Sequence, residues 1–121
     1  MSEFTRPLLL EYIDGRNWRI ISEFDFASEV AERLIKIPSG FITDFASVPR
    51  FFWRVLPPTG TYGKAAVIHD YLYRYCTVSK NLADLVFLEG MEVLQVPRYK
   101  RYIMYQAVNW FGKPSCSNGN H

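Results

Sequence analysis

Along the first forty or so residues, apolar and polar positions alternate in short runs broken by turn residues. Pro7–Ile13 is followed by Asp14-Gly15, a dipeptide that favours a tight hairpin turn. In Trp18–Phe26, Trp18 and Ile20 alternate with Arg19 and Ile21, the pattern of a half-buried strand. Arg33–Ile37 places Ile35 and Ile37 on one face and Lys36 on the other, and Pro38-Ser39-Gly40 then breaks it. A short extended piece, Phe41–Asp44, completes the strand-forming half.

The period then changes. Ser47 before Val48-Pro49 reads as an N-cap with proline in the first turn of a short helix, Arg50–Leu56, which stops at Pro57-Pro58. Thr59–Gly63 is a loop. Lys64–Cys76 carries Ala65, Ile68, Leu72 and Cys76 at helical spacing. Ser79 caps a helix over Lys80–Leu94, with Gly90 weakening its last turn. Pro97 opens a third that ends at Phe111, before Gly112 and Pro114. Strands followed by helices predict an α+β fold, with a short helix and three C-terminal helices packed on an antiparallel sheet. Residues 1–112 form one domain and 113–121 a loose polar tail.

Composition adds bounds. A chain of 121 residues with 49% hydrophobic and 17% aromatic residues can bury a core, so global disorder is excluded. A formal charge of +2 gives no reason to expect nucleic acid. No run approaches the roughly 18 apolar residues of a membrane span, and the start, with Glu3 and Glu11 around Leu8-Leu9-Leu10, lacks the pattern of a signal peptide. Two cysteines, Cys76 and Cys116, read as free thiols.

The candidate chemistry lies on the apolar stripes of two helices. His69 sits one turn from Ala65 and Tyr73; Asp84 shares a stripe with Phe87, Leu88, Met91 and Leu94. An ionisable group facing inward costs several kcal/mol unless paired. The connection near Thr77-Val78 is short enough to force a helical hairpin. At about 1.5 Å per residue, the two side chains come level within roughly 4 Å. A carboxylate on one imidazole nitrogen fixes the tautomer and raises the basicity of the other, the arrangement of a general base. The same pair also serves as a brace between helices, and the spacing does not choose between these roles. Asp70 projects about 100° away from His69 and suits a hard cation such as Ca²⁺. Zinc fits less well, because the chain's other histidine is His121 in the tail.

A second polar cluster, Thr43-Asp44-Phe45-Ala46-Ser47-Val48-Pro49-Arg50, offers Asp44 as a further cation ligand and Arg50 as an anion contact. Each residue also has an ordinary turn or cap role. Arg98, Lys100 and Arg101 interleave with Tyr99, Tyr102 and Tyr105, a solvated helix start that is also suited to phosphates or lipid headgroups. Phe51-Phe52-Trp53 reads as core or as an apolar patch for a partner.

Two resemblances follow. The strings Phe41-Ile42-Thr43-Asp44-Phe45-Ala46-Ser47-Val48-Pro49-Arg50 and Tyr62-Gly63-Lys64-Ala65-Ala66-Val67-Ile68-His69-Asp70-Tyr71-Leu72-Tyr73, then Ala83-Asp84 and Phe87, resemble a family of short phage and prophage proteins catalogued as a domain of unknown function. That resemblance spans about residues 7–112 and implies a viral origin, with the protein in the host cytoplasm or the assembled virion. His69-Asp70-Tyr71-Leu72-Tyr73-Arg74, with Asp84 and Phe87, is similar to the active-site helices of phospholipases A2. The second resemblance implies that His69 activates water, Asp70 binds Ca²⁺, Asp84 orients His69, and the Tyr73 hydroxyl supports the network. Together they lead to a hydrolase-like protein acting on an ester of a lipid or cell-envelope component. A virion tail or baseplate component braced by the same pair, and a binder of a host protein or small ligand, are the other readings.

Overall fold

The computed structural model describes residues 2–5, 7–14, 17–43 and 63–114. Six strands precede three helices: β1 (Glu3–Phe4), β2 (Leu10–Tyr12), β3 (Trp18–Ile20), β4 (Phe24–Ser28), β5 (Arg33–Ile37), β6 (Ile42–Thr43), α1 (Gly63–Tyr75), α2 (Lys80–Val93) and α3 (Arg98–Phe111). The α+β reading holds. The expected helix Arg50–Leu56, and Asp44, Ser47, Arg50 and Phe51–Trp53 with it, lie outside the described residues.

The strands form two three-stranded antiparallel sheets, ordered β1-β4-β5 and β2-β3-β6, where the sequence reading had one. The physical cause is a break in Trp18–Phe26. Ile21 lies outside both strands and is 53% exposed, its amide donating to Leu9 O. Phe24 and Phe26 then turn inward as fully buried members of β4, paired with Ile37 and Ile35. Strand β1, two residues long, pairs Phe4 with Phe26, and their rings stack at 4.3 Å. A run that short is invisible to a periodicity argument.

The core gathers Ile20, Phe24, Phe26, Ile35 and Ile37 from the strands with Ile68, Leu72, Phe87, Met91 and Met104 from the helices. Helix α2 lies between α1 and α3 in the contact order. Its start is fixed by Ser79, whose hydroxyl accepts from the Leu82 amide at 3.2 Å. Gly90 does not end the helix. A Cβ there would stand 3.1 Å from the Ala65 Cβ and 3.4 Å from Phe4 Cζ, so the glycine lets α1, α2 and β1 approach closely.

One expectation about redox state is overturned. The described residues include no free cysteine, and Cys76 is disulfide-bonded. Reasoning from compartment weighs where thiols stay reduced, and it is blind to which chain segments a fold brings to the end of α1. Cys116 lies outside the described residues.

Candidate functional site

His69 and Tyr73 are four residues apart on α1, so both side chains leave the same face. That face meets α2 at Asp84. His69 Nε2 lies 2.7 Å from Asp84 Oδ1, and the Tyr73 hydroxyl donates to the same oxygen at 2.6 Å. Lys80, one turn before Asp84 on α2, donates to Oδ2 at 2.7 Å. His69 and Asp84 are completely buried. The predicted pairing across the hairpin is therefore present, with Tyr73 in contact as well.

Because an ionised carboxylate only accepts, Nε2 carries the hydrogen in this pair, and Nδ1 is left with its lone pair. Among the described residues Nδ1 is buried and has no hydrogen-bond partner; Asp25 Oδ1 is another buried atom in that condition. The imidazole is held from both sides by aromatic rings, Tyr73 at 4.1 Å and Phe87 at 4.8 Å between centroids. Its orientation is thus fixed by packing and by Asp84 together.

The electrostatics follow from this enclosure. Burial pushes the His69 pKa down, against the raising influence of Asp84, so the ring is neutral at pH 7. For Asp84, burial alone pushes upward, but the bonds from His69, Lys80 and Tyr73 outweigh it and the carboxyl is held below its usual range. Burial, then the Asp84 bond, drives the Tyr73 phenol strongly upward, so it stays a hydrogen-bond donor.

Lys80 is the residue that the sequence reading missed. Beyond Asp84, its ammonium donates to Val108 O at 3.1 Å and Asn109 O at 3.0 Å, two carbonyls at the C-terminal end of α3. A cation there also opposes the negative end of the helix dipole. The Lys80–Asp84 spacing of four residues was a usable signal. In the sequence Lys80 served only as the first residue of a helix; its long stem carries the charge inward. Gly112 serves the same corner. A Cβ on it would stand 2.3 Å from the Tyr73 hydroxyl oxygen, so α3 can end against this tyrosine only with glycine there.

Asp70 points elsewhere. Its Oδ2 accepts from Thr43 Oγ1 at 2.5 Å and lies 3.7 Å from Arg74 Nη2, while Arg74 Nη1 donates to Ile42 O at 3.0 Å. This links α1 to β6. The structure thus brings Thr43 to Asp70, separate from the His69–Asp84 contact. Among the described residues no three His, Cys, Asp or Glu side chains converge in a way that would hold a metal ion. Two clefts are lined by described residues, and His69 lines neither. No helix among the described residues is long and apolar enough to cross a membrane.

A family model described as "Protein of unknown function (DUF1353)" matches residues 18–108, which include His69, Tyr73, Lys80 and Asp84. The uncharacterized protein y4jT of Sinorhizobium fredii is 37% identical over 78 residues, covering 63% of this chain and 23% of its own length. The chain therefore spans less than a quarter of that curated relative. No solved structure matches.

Proposed function

We propose, for a chain that belongs to the DUF1353 family of proteins of unknown function, that His69 is the general base of an ester-hydrolysing site. The observation carrying this reading is the buried, unpartnered Nδ1 on an imidazole whose other nitrogen is bonded to Asp84. An unsatisfied buried acceptor costs about 1–3 kcal/mol. A base needs a free lone pair, which Nδ1 has; since His69 is fully buried, water must reach it through an opening of the surrounding helices.

In the reaction, Nδ1 takes a proton from a water molecule as its oxygen bonds to the ester carbonyl carbon. The imidazolium that forms is stabilised by Asp84, whose own compensation comes from Lys80 and Tyr73. The tetrahedral intermediate collapses as its bond to the alcohol oxygen breaks, and the proton on Nδ1 passes to that leaving oxygen. Carboxylic acid and alcohol are the products. The similarity to phospholipase helices makes a lipid or cell-envelope ester the substrate class to try first. For a cation at Asp70 and Asp44, the described residues do not supply a ligand set, because Asp70 is engaged with Thr43 and Arg74. The reaction is therefore written through His69 alone.

A second reading has an observation of its own. Lys80 and Asp84 join α1, α2 and α3 at one point, which is what a brace does, as in a virion component. His69→Gln separates the two. Acting as base, His69 gives measurable turnover of fluorogenic acyl esters that falls at least about 100-fold in the variant, with the melting temperature moved by only a few degrees. If the parent turns over no ester and the variant merely melts earlier, the brace reading takes its place.

A further inference from the structure

Helix α3 has a second face, turned away from the His69 network. Met104, Ala107 and Val108 are its buried positions, packed toward α2. The opposite side carries Tyr99, Tyr102, Ile103 and Trp110, exposed by 65%, 62%, 41% and 76%, and Phe111 at the helix end is 60% exposed. Tyr99, Tyr102, Ile103 and Trp110 recur at three-, four- and seven-residue intervals, so they form one stripe about 17 Å long. A shallow, almost wholly apolar depression of about 320 Å³ runs along it, lined by Tyr102, Ile103, Gln106, Ala107, Trp110 and Phe111. Exposed aromatics in such a row are an interaction surface rather than scattered surface residues.

Charge identifies the occupant. After Glu92 the sequence contains no acidic side chain, while Arg98, Lys100, Arg101 and Lys113 all fall on or beside α3. Arg101 lies 3.9 Å from Glu92, which offsets it. Arg98, Lys100 and Lys113 have no carboxylate within ion-pair distance among the described residues. The stripe is thus an aromatic strip with cations at both ends, Lys100 and Lys113 unpaired among the described residues and Arg98 and Arg101 sharing a cleft with Glu29, Glu89 and Glu92. A second copy of the chain fits poorly. Pairing this face with itself would bring an excess of cations against cations, with Glu92 beside Arg101 offsetting only part of it. A surface of anionic headgroups over acyl chains fits both features: cations meet phosphates, and Trp, Tyr and Phe rings sit at the boundary. The helix is amphipathic and flanked by packed protein, so it would lie on such a surface.

We infer that the outer face of α3 docks the protein on an anionic lipid surface, with Trp110 and Phe111 entering the headgroup boundary and Arg98, Lys100 and Lys113 contacting lipid phosphates. This docking uses none of the His69 residues and stands or falls apart from the hydrolase reading.

The test is co-sedimentation of the full chain with vesicles of phosphatidylcholine alone or with 30% phosphatidylglycerol. Binding is expected with the anionic vesicles and not with phosphatidylcholine alone, and it weakens at high salt. Arg98→Gln with Lys100→Gln is expected to lower partitioning by roughly tenfold or more, since each cation near such a surface is worth about 1 kcal/mol. Trp110→Ser with Phe111→Ser, two exposed positions, should abolish it while the melting curve stays in place. Several results would overturn the inference. They are no vesicle binding, undiminished binding by the serine variant, equally tight binding of duplex DNA, and a lipid-free dimer that the serine substitutions dissociate. The last would assign the face to a second copy.

Discussion

Helix α2 buries two carboxylates five residues apart, and they are treated in opposite ways. Glu89 faces the β4–β5 turn. It accepts from the Ser28 hydroxyl at 2.7 Å, from the Glu29 and Val30 amides at 3.0 and 3.2 Å, and from the Ser2 hydroxyl. Every donor is neutral, and none of these atoms passes a proton onward. Asp84 faces α1 and α3 and takes its bonds from an imidazole, a phenol and an ammonium. Its chain of contacts ends at an imidazole nitrogen with nothing bonded to it among the described residues. A buried carboxylate is therefore not a functional signal in itself. The distinguishing feature is what its donors do on their other side: Ser28 Oγ accepts from the Ala31 amide, while His69 ends in a buried lone pair with no bond among the described residues.

Substitutions can break this contrast. The largest effect is expected for Asp84→Ala, which strands the Lys80 ammonium and frees His69 in a closed site. It should cost about 3–5 kcal/mol in urea unfolding, with ester turnover lost. Glu89→Gln keeps the side chain's shape but weakens four accepted bonds. A loss of about 1–3 kcal/mol is expected with turnover per folded molecule unchanged. If Glu89→Gln silences turnover as His69→Gln does, the two carboxylates are not functionally distinct. The smallest effect is on pH dependence. The folded-state pKa of His69 lies below its unfolded value, so the unfolded chain binds more protons as the solution is acidified. Stability is then complete above the ordinary histidine range, near 6.5, and declines as the pH falls through it. Asp84, also lowered, extends that decline toward the usual carboxylate range. Unfolding measured from pH 8 to 4 should show this slope, and His69→Gln should flatten its upper part.

The three C-terminal helices and the His69–Asp84 contact were legible in the sequence for definite reasons. Ser79 capped α2, Pro97 preceded α3 and Gly112 followed it, the usual punctuation of helix ends. An ionisable residue on each of two apolar stripes needed a partner, and the short connection left one within reach. What was not legible depended on long-range placement. The split into two sheets turns on Ile21–Glu23, where alternation continues after the strand has ended. Glu89 passed unnoticed because its partners, Ser2, Ser28 and two backbone amides, come from distant parts of the chain. Lys80 was assigned to a helix start, a statement about its Cα, whereas its function depends on where Nζ arrives.

That ammonium has a consequence for how the molecule behaves as a whole. One charge neutralises Asp84 and also holds the last carbonyls of α3, the helix whose outer side is aromatic. Drawing α3 away from α2 would take those carbonyls from the ammonium and leave it to Asp84, four residues on along the same helix. Anything that grips the outer side of α3 and shifts it is therefore linked to how fully that one charge is spent on Asp84, and by reciprocity a change at Asp84 alters that grip by the same factor.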